Sequence, residues 1–92
     1  MKPILVVTDR KGVIAGLVPD DQNMDATTMA LESARFVLRG RTTGGIAELA
    51  EVGPNPSFKL GNISNIPSVR GITIVLEITT EAWDVWMNHV NS

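Results

Sequence analysis

The sequence contains no cysteine and no tyrosine, one histidine (His89), and only 4% aromatic residues. Without cysteine there is no disulfide framework, no thiolate nucleophile and no cysteine-ligated zinc. A single histidine cannot build a multi-histidine metal site, so neither a metal nor any other cofactor is expected. A basic surplus is also missing: eight Lys and Arg face ten Asp and Glu, for a net charge of −2 and a pI near 5.2. General nucleic-acid binding needs positive charge for the phosphates and is not expected here. Long apolar runs are absent as well. Ile4-Leu5-Val6-Val7 is ended by Asp9-Arg10-Lys11, short of the roughly 7–15 apolar residues of a signal peptide or the about 20 of a bilayer span. A cytosolic protein without membrane contact is the default expectation.

What is present describes a small globular chain. Its 92 residues allow one domain, residues 1–92, and 43% hydrophobic with 20% charged residues excludes a disordered tail. The opening residues, 3–18, read as a β-hairpin. Ile4 to Thr8 and Val13 to Val18 are β-branched runs, and Asp9-Arg10-Lys11-Gly12 supplies the turn, with Gly12 free to take a positive φ. Gly16 inside the second run points to a bulge or a close approach of another backbone.

Thr27 to Leu38 reads two ways. Ala26, Ala30, Ala34, Val37 and Leu38 recur at helical spacing, with Asp25 as a cap. As a strand, Ala30, Glu32, Ala34, Phe36 and Leu38 share one face, and Met29, Leu31, Ser33, Arg35 and Val37 the other. A short central helix over 44–52 follows, capped by Thr42 or Thr43, with Ile46, Leu49 and Ala50 as its apolar stripe and Gly53-Pro54 as its stop. Residues 53–71, rich in Gly and Pro, read as one long irregular or functional connection. Strand 72–79 then carries Ile72, Ile74, Leu76 and Ile78 on one aliphatic face. A C-terminal helix over 80–90 is capped by Thr80, and its stripe is Trp83, Trp86, Met87 and Val90.

Several blocks jointly resemble a family of small, functionally uncharacterised proteins of tailed bacteriophages and prophages. They are Gly12-Val13-Ile14-Ala15-Gly16-Leu17-Val18, Leu31-Glu32-Ser33-Ala34-Arg35, the Gly45–Pro54 segment, Ile66-Pro67-Ser68, Ile72-Thr73-Ile74-Val75 and Thr79-Thr80-Glu81-Ala82-Trp83. Relatives carry an aromatic pair where this chain has Val37 and Leu38, and a Cys-Arg pair where it has Lys59 and Leu60. The resemblance implies a sheet-rich domain in which the segment before the central helix is extended. The expected fold is therefore α+β: a small, mainly antiparallel sheet (hairpin 3–18, strands near 28–38 and 72–79) with helices at 44–52 and 80–90. It also implies a phage origin, a place in the host cytoplasm and no particular activity.

Catalysis is poorly supplied. His89 has no evident orienting partner, the serines lack a nucleophile-elbow context, and the acid pairs Glu48/Glu51 and Glu81/Asp84 suit solvated helix faces. No catalytic residue is assigned, and the chain is expected not to be an enzyme. Two local concentrations stand out instead. Arg35, Arg39 and Arg41 share one parity, so an extended chain aims them together, and Thr42, Thr43, Gly44 and Gly45 follow at a helix start. This is either a phosphate-binding site of a nucleotide-like ligand or a solvated arginine edge that blunts sheet pairing. The Trp83, Trp86, Met87 and Val90 stripe is either core or an interface for a homo-oligomer or a host protein. The leading expectation is a non-catalytic phage binding protein that neutralises a host factor, such as a defence component, by sequestering a nucleotide-like signalling molecule. The alternative is a minor virion structural or assembly protein.

Overall fold

The two aliphatic runs at the start pair as expected. In the computed structural model, which describes residues 1–91, β1 (Lys2–Thr8) and β2 (Val13–Val18) form an antiparallel hairpin in register from Lys2↔Val18 to Val7↔Val13. The turn is closed by Lys11 N–H to Thr8 O and Thr8 N–H to Gly12 O, both 2.9 Å. Lys11, not Gly12, takes the left-handed conformation, with φ of 65°. The remaining elements are β3 (Thr28–Arg39), α1 (Gly45–Glu51), β4 (Lys59–Leu60), β5 (Ser64–Arg70), β6 (Ile72–Glu77) and α2 (Thr80–Asn88). The result is an α+β fold: a six-stranded sheet in the order β4-β3-β2-β1-β6, with β5 also on β3 and every pairing antiparallel.

The segment 27–38 is a strand. It is long enough to pair β2 along one side and, on the other, β5 near Thr28–Ala34 and β4 near Val37–Arg39. It does not keep simple alternation. Ser33 sits at φ 49°, and the register with β2 slips between Ala15↔Arg35 and Leu17↔Glu32. A residue in left-handed conformation inside a strand makes a bulge and flips the faces beyond it. Met29 and Leu31 therefore join Ala34 in one core cluster rather than lying opposite it. Gly16 stands where this happens: a Cβ there would meet Leu31 Cβ at 2.9 Å and Ala34 Cβ at 3.3 Å. The approach is by side chains rather than backbone.

Residues 53–71, expected to be irregular, contain β4 and β5. Their ladder partners lie far away on β3, so local turn chemistry conceals them. The aliphatic face read into β6 is also broken. Thr8 pairs Ile72 and Val7 pairs Ile74, leaving Thr73 as a bulge residue whose hydroxyl donates to Val7 O at 3.1 Å. Ile72 consequently packs with Ile4, Val6, Ile14 and Val18 on one side of the sheet. Leu76 and Ile78 pack with Leu5, Ala15 and the helices on the other. The first cluster is enclosed as the sheet curls, with Ile72 N–H donating to Thr27 O at 3.0 Å.

The two helices are joined through carbonyls that a short helix leaves without partners. Thr79, one residue before the expected cap, is the N-cap of α2: its Oγ1 accepts from Ala82 N–H at 3.0 Å. The same hydroxyl donates to Glu51 O at 2.8 Å. Its N–H donates to Ala50 O at 3.0 Å, and the Trp86 indole donates to Leu49 O at 3.1 Å. Three carbonyls at the end of α1 are thus satisfied from α2 and its N-cap, beneath a cluster that includes Leu49, Ala50, Phe58 and Ala82. No helix among the described residues is long and apolar enough to cross a membrane.

Candidate functional site

The arginine-rich stretch divides. Arg35 lies directly opposite Ala15, on the sheet face under the helices, and is only 7% exposed. Its guanidinium donates to Gly61 O, Trp86 O and His89 O, each at 2.9 Å. Burial lowers its pKa by desolvation, yet a guanidinium stays charged in proteins. The site candidate Arg35 is therefore a clasp holding the last turn of α2, and its Nε and Nη1 donors are committed to backbone. It does not join a ligand site.

Two further residues complete that clasp. His89 follows α2 as its C-cap, with Nε2 2.8 Å from Phe58 O; a carbonyl only accepts, so Nε2 carries the proton. Asn91 pairs with the Leu60 backbone like a strand residue, accepting from Leu60 N–H at 2.9 Å and donating to Leu60 O at 2.8 Å. Nothing in the sequence marks Asn91, since an amide becomes a strand mimic only where an unpaired edge meets it.

Arg39 and Arg41 remain on the surface and form no ion pair among the described residues. Arg39 lies opposite Lys59 across β3 and β4, a basic neighbour that local spacing does not reveal. Arg41 and Thr42 stand at the rim of an open groove of about 400 Å³. Val13, Val37, Ile46, Leu49 and Phe58 form its apolar wall, and Gly40 and Gly45 its mouth. Gly40 is required there: with φ of 153°, a Cβ would enter the Phe58 ring. A second, polar depression of about 340 Å³ on the same segment involves Arg41, Thr42, Thr43, Glu48 and Asn55. Asn55 holds the segment by donating to Arg41 O at 2.9 Å.

The expected helix-start chemistry is weaker than its composition implied. Gly44, not a threonine, is the N-cap of α1, without a side-chain cap bond. Thr42 Oγ1 accepts only a long 3.4 Å bond from Gly44 N–H. The Glu48 carboxylate occupies the first turn, where it opposes an incoming anion. Arg41, Thr42 and Gly45 are thus the candidates that meet at the apolar groove; Thr43 faces the polar depression, and Arg35 lies elsewhere.

The terminal stripe resolves into core. Trp86 is fully buried, and Trp83 and Met87 are half-buried against the same cluster. Val90, past the end of the helix, is 83% exposed. Its four members offer no continuous apolar face to a partner, because packing on the sheet has already used Trp86.

With this arrangement in place, the chain can be related to known proteins. A family model described as a domain of unknown function, DUF6948, matches residues 1–86. The chain belongs to the DUF6948 family. No curated protein and no solved structure matches it. The matched span of this DUF6948 chain includes Arg35, Arg41 and the groove, whereas His89 and Asn91 lie beyond it.

Proposed function

We propose that this DUF6948 protein is a non-catalytic binding protein that takes a nucleotide-like ligand in the groove beside Phe58. The carrying observation is the pairing of an apolar wall with an uncommitted Arg41 at its rim. A groove of about 400 Å³ is within the size range of small-molecule sites. The apolar wall suits a base or comparable ring, while Arg41 and Thr42 suit an anionic group through charge-assisted hydrogen bonds. The resemblance to small tailed-phage proteins supports a phage or prophage origin and action in the host cytoplasm. In that setting, holding a signalling nucleotide would neutralise a host defence component.

Calorimetry against cyclic and linear nucleotides tests this reading on the full chain. We expect saturable binding that Arg41→Glu weakens by about tenfold or more, with unfolding of the variant unchanged. Absence of any binding tighter than millimolar overturns it.

A further inference from the structure

The apolar groove and the polar depression beside it share two residues, Arg41 and Thr42. They are two compartments divided by one short segment, and the second has a chemistry the first lacks. Its polar groups are not equally free. Asn55 is committed: its amide donates to Arg41 O at 2.9 Å, and its Oδ1 accepts from Ser57 N–H at 2.9 Å. Arg41 and Glu48 are not. Among the described residues neither side chain enters a hydrogen bond or an ion pair. They border the same depression of about 340 Å³ and yet do not pair with each other.

The Glu48 carboxylate is placed by shape. A Cβ at residue 44 would meet Glu48 Cβ at 2.8 Å and the Glu48 carboxylate carbon at 3.5 Å. The side chain is therefore folded back over Gly44, which leaves it room because it carries no side chain. Glu48 is half-buried, and a carboxylate partly removed from water is stabilised by hydrogen-bond donors. The chain supplies it with none. An anionic group brought to this carboxylate is repelled, whereas a hydroxyl donates to it.

We propose that Glu48 receives the vicinal hydroxyls of a ribose, so that the ligand is a ribonucleotide rather than a deoxyribonucleotide. This rests on the groove reading given above. With a base against Phe58 and a phosphate on Arg41, the sugar that joins them lies along the Arg41–Thr42 segment. That segment is also the border of the depression Glu48 lines. The two carboxylate oxygens accept from the 2′- and 3′-hydroxyls, the same chemistry by which an acidic side chain holds ribose in dinucleotide-binding folds. A 2′-deoxyribose brings one donor fewer and leaves part of the carboxylate unmatched. The unpaired opposite charges thus divide the ligand: Arg41 takes its anionic group, and Glu48 its neutral hydroxyl face.

Calorimetry of the full chain with adenosine, guanosine and cytidine 5′-monophosphates and their 2′-deoxy counterparts tests this, with thermal unfolding reporting the fold of each variant. We expect the best-bound ribonucleotide to bind about tenfold tighter than its 2′-deoxy form, the worth of one hydrogen bond to a charged group. Glu48→Gln keeps the shape and removes the charge, and should bring the two forms within about threefold. Should Glu48→Gln fail to fold, Glu48→Asp decides: it draws the carboxylate back by one methylene and should likewise shrink the preference. Equal affinity of the two forms for the wild-type chain, or a full preference retained by a folded Glu48→Gln, overturns the ribose assignment while leaving the groove reading in place. Absence of binding by all six monophosphates overturns the assignment too; the groove reading falls with it only if larger cyclic and linear nucleotides also fail to bind.

Discussion

Arg35 and Arg41 lie close together in the chain and share a parity, yet the fold treats them oppositely. Arg35 is buried and gives its donors to three carbonyls from two distant segments. Arg41 is exposed at the mouth of an apolar groove with no ion-pair partner among the described residues. In the first site the donors meet buried acceptors, and no buried side-chain polar atom among the described residues lacks a partner. The second is open. An arginine whose donors hold buried carbonyls stabilises a fold, and one whose donors are free can recognise an anion.

The contrast can be broken at several points. The largest effect is expected for Trp86→Ala. It empties a fully buried site and strips Leu49 O of its donor. A loss of about 3–5 kcal/mol is expected in denaturant unfolding, and a loss under about 1 kcal/mol would mean that the helix pair does not depend on this side chain. Arg35→Met should follow at about 2–4 kcal/mol, because the buried carbonyls lose a charged donor together. The same replacement at Arg41 should stay within about 0.5 kcal/mol. Equal costs at the two positions would erase the distinction between clasp and site. Asn91→Ala should be smaller, about 1–2 kcal/mol, since it frees one N–H and one C=O of Leu60. Hydrogen exchange at the Leu60 amide should then rise before global unfolding, and unchanged protection would show that Asn91 is dispensable.

How much of this was legible depended on how local the cause was. The hairpin, both helices and β6 announce themselves through β-branched runs, i, i+3, i+4 stripes and stop residues. The strand nature of 27–38 did not emerge from periodicity, and the bulge explains why. With Ser33 at φ 49°, the core residues Met29, Leu31 and Ala34 follow neither a period of two nor a clean helical repeat. β4 and β5 were hidden for a different reason: Pro67 and the surrounding glycines and asparagines signal turns, and only the outer edge of β3 makes strands of them. At the candidate site, Arg41, Thr42 and Gly45 were recognisable from composition, whereas Phe58 and Val13 enter from elsewhere in the chain. Lys59 likewise becomes a neighbour of Arg39 only through strand pairing.

The sequence by itself determined the class of fold, α+β, without disulfides or a cysteine metal site, with its hairpin and helices bounded by its own turn and cap residues. Those properties follow from side-chain chemistry and backbone preferences acting over a few neighbouring positions. The tertiary structure alone decided which arginine is buried, which face each β3 side chain takes, and which donors satisfy the end of α1. These depend on register and on groups brought together from distant segments, and a buried charge or carbonyl is stable only when such a partner arrives.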